Sequence, residues 1–301
     1  MTTKTVPFQW LETVDSERVL AWVRQQNQHT QAAFTETPAF QHLQQDLRAI
    51  FDADGRIPWV QQWGEYYYNF WRDAQHPRGL WRRTSFASYR QTEPEWETVL
   101  DLDELSATEN EAWVWAGAEG LPPLYQRCLV ALSRGGADAT VTREFNLQQK
   151  CFVEDGFYRP EAKGSLSWID QDTVYVATDF GAGNLTQAGY PRQVRQWRRG
   201  TALSKAHLVF AGRQHDLSVG AYRDHTPGFE HDFFYRANAF YEDELYLRNR
   251  DGKLQLIPTP NDAKKSVHWH HLFLELRSDM RHQGKTYRQG SLLAAPLNTV
   301  L

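Results

Sequence analysis

The chain has 301 residues, 41% hydrophobic and 23% charged, with 33 basic against 37 acidic side chains and a formal net charge of −4. That composition excludes a disordered or collagen-like chain, and so slight a charge excludes the broad cationic field that holds a phosphate backbone. The longest apolar run, residues 292–297, is broken by Pro296 and falls far short of the ~20 residues of a membrane-spanning helix, so neither nucleic acid nor membrane is expected as a partner.

Twelve Trp, 13 Tyr and 16 Phe stand against two Met, a bias toward flat rings that pack on pleated surfaces. Cys128 and Cys151 are too few for a disulfide framework, and the first ten residues lack the apolar core of a secretory signal. A reduced, cytoplasmic protein is expected.

Residues 1–63 are rich in Gln and carry apolar side chains at helical spacing, which predicts a helical arm. One helix is expected from Asp15 or Ser16 to about Gln26, burying Val19, Trp22 and Val23 on one side. In a second, Thr37 precedes Pro38 as an N-cap precedes Pro at the first helical position. Phe40, Leu43, Leu47, Ile50 and Phe51 then recur three or four apart until Gly55.

From Gly64 the texture changes to short β-rich runs separated by Gly, Pro, Asn and Asp, with no further amphipathic helix expected. Strands are predicted over 66–72, 80–89 and 96–102, then over 112–116, 128–132, 139–145 and 151–154. Similar groups begin near Leu166, Val219 and Val267. Starts about 50 residues apart match a propeller blade of about four strands, giving about five units over residues 64–301. The fold class is therefore mainly β, a β-propeller preceded by a helical segment, with a two-sheet sandwich as the alternative.

Several constellations bear on chemistry. Ala131, Ser133 and Gly135 have the spacing of a nucleophile elbow, but Gly136, Ala137 and Asp138 lead into a β-branched run, which predicts a hairpin instead. Gly181 and Gly183 begin like a dinucleotide fingerprint, yet Thr186 stands where a third Gly or Ala belongs and no βαβ pattern surrounds it. Among His268, His270 and His271, an i, i+2 pair on a strand would share one face as metal sites require; without a third ligand, a satisfied or exposed pair is expected.

Asp73, Asp138 and Asp179 sit near predicted strand ends, where carboxylates form a glycosidase pair or simply start turns. Arg82 and Arg83, and Arg195 with Arg198 and Arg199, alternate with Trp81 and Trp197. They either present guanidinium groups to a carboxylate or peptide terminus, or stack on rings along exterior strand faces. No residue is assigned as catalytic, cofactor-binding or metal-ligating, and no cofactor is expected.

The opening residues are more specific. Pro7-Phe8-Gln9-Trp10-Leu11-Glu12, then Ser16-Glu17, Ala21-Trp22-Val23, Gln26-Asn27 and Thr30, resemble the start of prolyl oligopeptidase family serine peptidases. Gly79-Leu80 through Arg82-Arg83, the segment 95–101, and the segment 132–138 continue the resemblance, which loosens after about residue 200. It implies N-terminal helices reaching over an α/β-hydrolase domain, and a propeller of about seven blades that caps the active site and admits only short peptides. The hydrolase itself would follow.

This sequence departs from that pattern, because only about five blade units are countable and no Gly-x-Ser-x-Gly, Asp and His in hydrolase context follows. The expectation is a non-catalytic propeller portion, incomplete as a ring, whose partners are a C-terminal hydrolase domain and short peptides. Its uncovered edges would favour self-association, and Phe8, Trp10 and Trp22 would lack their apolar partner. The competing readings are a five-bladed glycosidase using Asp73 and Asp179, and a free-standing propeller that binds peptides or proteins.

Overall fold

A computed structural model describes residues 7–13, 16–53 and 55–301. The chain forms two compact units, one reaching to Ile57 and including Arg72–Gln75, the other comprising Pro58–Trp71 and His76–Leu301.

In the first unit a 3-10 turn, Gln9–Glu12, precedes helix α1 (Glu17–Thr30), which runs through a π-helical turn, Gln31–Thr35, toward α2 (Pro38–Phe51). Ser16 occupies the N-cap of α1, while the alternative start at Asp15 lies outside the described residues. Helix α2 begins as its sequence predicts: the Thr37 hydroxyl accepts from the Phe40 amide at 3.3 Å, and Pro38 follows it.

Burial departs from expectation. Val19 and Trp22 are half-buried, but Val23 is 38% exposed. Trp22 instead meets Trp10 edge-on at 6.1 Å, and the Arg18 guanidinium lies 4.4 Å from the Trp10 ring centre. An amphipathic period gives a helix a face to bury, but burial itself requires a partner surface, and neither α1 nor α2 contains a fully buried residue.

The second unit is built of antiparallel meanders. Blade 1 comprises β1 (Gln61–Trp63), β2 (Tyr66–Trp71), β3 (Leu80–Ser85) and β4 (Glu97–Asp101). Blade 2 comprises β5 (Trp113–Gly120), β6 (Arg127–Arg134), β7 (Thr140–Asn146) and β8 (Cys151–Phe152), with β9 (Tyr158–Ala162) also pairing with β7. Blade 3 holds β10 (Ser165–Asp170), β11 (Thr173–Ala177), β12 (Gln193–Arg198) and β13 (His207–Ala211). Blade 4 holds β14 (Ser218–Asp224), β15 (His231–Ala239), β16 (Glu242–Arg248) and β17 (Leu254–Leu256).

Blade 5 pairs β18 (Lys264–His268) with β19 (His271–Glu275) and then β22 (Leu292–Pro296). The hairpin of β20 (Met280–His282) and β21 (Lys285–Tyr287) is inserted before β22. Five successive blades make this a β-propeller preceded by a short helical segment, not a two-sheet sandwich.

Two local departures have simple causes. The strand predicted over 80–89 ends at Ser85, whose hydroxyl accepts from the Ser88 amide at 3.2 Å and opens the turn α3 (Phe86–Tyr89). A further helix does exist, α4 (Leu102–Glu109). One Asp101 oxygen accepts from the Asp103 and Glu104 amides at 2.8 and 3.0 Å, and Asn110, at φ 52°, closes the other end. Eight residues span only two turns, too few for an apolar period to emerge, although Leu102 and Ser106 are buried.

Neighbouring blades adhere through apolar cores. Trp63, Tyr68, Trp81, Trp113 and Phe145 bind blade 1 to blade 2, whereas Leu129, Phe157, Trp168 and Trp197 bind blade 2 to blade 3. Tyr175, Val194, Val219 and Phe234 join blades 3 and 4, and Phe233, Leu245, Ile257 and Leu272 join blades 4 and 5. Among the described residues none of these four clusters holds residues of both blade 5 and blade 1. On the far face of blade 5, Leu292 is 70% exposed.

One buried charge cluster reinforces the second interface. The fully buried Glu144 carboxylate on β7 accepts from Arg199 at 2.8 and 3.1 Å, from the Phe157 amide at 2.9 Å and from Arg127 at 3.4 Å. Its negative charge is thus matched on several sides.

Candidate functional site

Ser133 lies inside β6, 4% exposed, opposite Val114 of β5. Gly135 and Gly136, at φ 62° and 85°, turn the chain directly into β7, so the elbow-like spacing belongs to a hairpin as predicted. Gly181 and Gly183 lie in the β11–β12 loop, where Asp179 accepts from the Gly181 amide at 2.8 Å.

His268 and His271 are cross-strand partners flanking a two-residue turn in which Trp269 takes φ 54°. The turn places His270 outside the strand, which removes the i, i+2 pairing on one face; the rings of His270 and His271 lie 4.2 Å apart. Among the described residues no group of three or more His, Cys, Asp or Glu is placed to hold a metal.

The three aspartates hold local structure. Asp73 accepts from the Gln75 amide at 3.0 Å, Asp138 pairs with Lys163 at 3.4 Å and accepts from Tyr190 at 3.4 Å, and Asp179 makes its turn bond.

Most of the arginines are likewise engaged. The Arg82 guanidinium is sandwiched between Trp71 and Trp96 at 4.3 and 4.2 Å, and Arg83 donates to Glu97 at 2.6 Å. Arg195 lies over Phe180 at 4.0 Å, Arg199 grips Glu144, and Arg198 is exposed at the end of β12. Of the two flanking indoles, Trp81 belongs to the core between blades 1 and 2, and Trp197 donates to the Thr201 carbonyl at 2.8 Å.

A different set of residues meets at one end of the propeller axis. There a cavity of about 1020 Å³ is lined from all five blades, including Trp63, Glu119, Ser167, Tyr222, His225 and His268. A second, of about 510 Å³, adjoins it and shares Pro122, Pro123, Arg223 and His225. The central position follows from the meander: the first strand of each blade lies nearest the axis, and the loops after these strands rim the opening.

Glu119 owes its aim to a bulge. Before it, Trp115 stands opposite Leu132 in the core shared with blade 1; after it, Gly117 stands opposite Ala131 and Glu119 opposite Leu129, which belongs to the core shared with blade 3. One extra residue has exchanged the faces of the strand. Glu119 therefore meets β10, where one carboxylate oxygen accepts from the Ser167 hydroxyl at 2.8 Å and the Trp168 amide at 2.9 Å. The fully buried indole of Trp168 in turn donates to the Glu119 carbonyl at 3.0 Å.

Next along β5, Gly120 permits the close approach of two rings, since an added Cβ would stand 2.8 Å from Tyr125 and 2.9 Å from Trp63. Those rings stack with centres 6.1 Å apart.

The surrounding protein pushes the Glu119 carboxyl above its ordinary range, against the opposing pull of the Trp168 and Ser167 hydrogen bonds. Across the cavity the Tyr222 hydroxyl is pushed up to about 12, chiefly by burial and then by the Asp224 carboxylate. Burial moves His225 downward, so it is neutral near pH 7; its Nε2 lies 3.2 Å from the Trp168 carbonyl, which places the ring proton there. The cavity thus carries aromatic rings on its wall together with the carboxylates of Glu119 and Asp224. The sequence signal for it is an acid inside the otherwise apolar strand Trp113–Gly120, behind the bulge-forming Gly117.

Five meander blades about an axial cavity define the class, a β-propeller with that cavity at the ends of its innermost strands. The model of the prolyl oligopeptidase N-terminal beta-propeller domain matches residues 5–229, and the chain belongs to that family.

It is 34% identical over 310 aligned positions to an uncharacterized peptidase of Sinorhizobium fredii, covering 98% of this chain and 42% of the relative. A solved post-proline cleaving enzyme from Rickettsia typhi superposes with a TM-score of 0.87 at 28% identity, over 97% of this chain and 44% of that one. A prolyl endopeptidase of Elizabethkingia meningoseptica is 24% identical, covering 84% of this chain and 34% of the relative. The chain thus spans less than half the length of the relatives it matches.

Proposed function

We propose that this chain is the non-catalytic N-terminal portion of a prolyl-oligopeptidase-like serine peptidase. In this reading a helical arm, residues 1–63, and an incomplete propeller, residues 64–301, cap an active site supplied by a C-terminal α/β-hydrolase domain and restrict it to short peptides. The observation that carries it is the family's propeller fold with an axial cavity of about 1020 Å³, large enough for a few peptide residues and too small for a folded domain. The elbow-like Ser133, buried in a strand, is consistent with acyl-transfer chemistry lying elsewhere.

The cap acts by exclusion: it keeps bulk water and folded proteins from the nucleophile while extended peptides reach it. Both cysteines are free, in keeping with a cytoplasmic setting, and among the described residues no helix is long and apolar enough to cross a membrane. The exposed far face of blade 5 would favour self-association of the chain by itself.

Pure chain is expected to leave a proline-containing chromogenic peptide intact. Fused to the C-terminal portion of the Sinorhizobium fredii relative, it should support cleavage of short peptides while sparing a folded protein substrate. Cleavage by the chain alone, abolished in Ser133→Ala, overturns the reading.

A further inference from the structure

The Glu119 carboxylate is divided in its commitments. One oxygen is held by Ser167 and the Trp168 amide from the neighbouring blade, while among the described residues the other, Oε2, accepts no hydrogen bond from the protein. Glu119 is accessible from the axial cavity, and its backbone is anchored by the buried Trp168 indole. The group is therefore oriented, not free to swing into solvent as a surface glutamate does.

The charges around it leave one sign in excess. Arg223, also on the cavity wall, is neutralised by both oxygens of Asp232 at 3.2 and 3.3 Å, and His225 is neutral near pH 7. Glu119 and Asp224 then make the cavity negative. Aromatic rings of Trp63, Tyr125, Tyr222 and Trp269 complete the wall, and ring faces attract a cation that has lost part of its water. A fixed carboxylate in a cavity that also has aromatic rings on its wall is complementary to a primary ammonium, with three donors and one positive charge.

We propose that the axial cavity is a docking site for the primary ammonium group of a peptide, bound by Oε2 of Glu119. The inference rests on the peptide-handling reading above and adds which end of the peptide is gripped. An N-terminal ammonium and a lysine side chain share this chemistry, and the choice of probe separates them. By holding the ammonium, the propeller would orient an extended peptide along its axis before the scissile bond is engaged.

The test uses this chain and three proline-containing pentapeptide amides: one with a free N-terminus and no lysine, its N-acetylated form, and the acetylated form with a C-terminal lysine. Titration calorimetry should show acetylation weakening binding at least tenfold. Tight binding of the acetylated lysine peptide would assign the site to lysine side chains, and weak binding to the N-terminus; either supports the ammonium site.

Glu119→Gln should lower affinity for the ammonium peptide at least tenfold and leave the acetylated peptide unchanged, while Asp179→Asn alters neither. Should Glu119→Gln melt early, the wild-type Trp168 amide resonance decides instead, because it must shift with the ammonium peptide and stay still with the acetylated one. Equal affinities for the free and acetylated peptides, or no binding of any, overturn the proposal. Size-restricted cleavage by the hydrolase fusion would still uphold the capping role in that event.

Discussion

Helix α2 and strand β11 are both rich in apolar side chains, and the two meet opposite environments. On α2, Phe40, Leu43, Leu47, Ile50 and Phe51 are 40 to 67% exposed, whereas on β11 Val174, Tyr175, Val176 and Ala177 are at most 1% exposed. A strand in the middle of a blade has another blade on each side, so both of its faces are covered and it needs no alternation of polar residues. A helix offers one stripe and depends on a partner surface to cover it. Periodicity thus tells which side chains share a face, while position among neighbours decides whether that face is dry.

The largest expected effect breaks or confirms that contrast directly. Trp168→Ala, removing a fully buried indole between blades 2 and 3, should cost about 3 to 5 kcal/mol in urea unfolding. Phe51→Ala on α2, 67% exposed, should stay within about 0.5 kcal/mol. Comparable losses at the two positions would mean the stripe of α2 is covered in solution.

Next in size, Glu144→Ala strips Arg199 and Arg127 of their shared carboxylate. Because both arginines keep some contact with water, the cost should fall near about 3 kcal/mol, at the low end for breaking a buried pair. Replacing Glu144 together with Arg199 by apolar residues should recover part of that loss, which a double-mutant cycle would measure.

On the helical side, Thr37→Ala removes the hydroxyl that caps α2 and should cost about 1 kcal/mol. The effect belongs in amide exchange of the first turn of α2, with exchange in β11 unaltered. Faster exchange in both would show that the two units unfold together.

The smallest effect is a pH dependence. Hydrogen bonds from Arg83 and then Lys150 hold the Glu97 carboxyl down to about 2, against an ordinary 4.5. A lowered carboxyl contributes stability that is complete above 4.5 and is lost as pH falls toward 2. Glu97 is 44% exposed, so solvent screening keeps the contribution small. Glu97→Gln should slightly lower stability above pH 4.5, where the pairing is complete, and converge with the parent as pH falls toward 2, flattening the profile across that window. An unchanged acid limb would show that Glu97 is not held by this pair in solution.

How far the residues announced these outcomes depended on the range of the interactions involved. Thr37-Pro38 marked a helix start and Gly135-Gly136 a hairpin because each is decided within a few residues by backbone sterics and one or two hydrogen bonds. The rhythm of strands and turns was legible for the same reason, down to blade starts near Leu166, Val219 and Val267. The arginines were harder: that Arg82 stacks between Trp71 and Trp96 depends on three chain segments converging.

The axial cavity was not legible. Its lining comes from five blades spread between Gln61 and Trp269, and the Glu119 carboxylate changes face because of a single bulge in β5.

By themselves, then, the residues determine an N-terminal pair of helices and a succession of antiparallel meanders of about four strands each, since both follow from local period and turn chemistry. Only tertiary structure decides which apolar faces are covered and that Glu119, Ser167 and Trp168 come together at the axis. Coverage and convergence are properties of neighbouring blades, and a one-residue change of register moves a side chain from one neighbour to the other while leaving the pattern of strands unchanged.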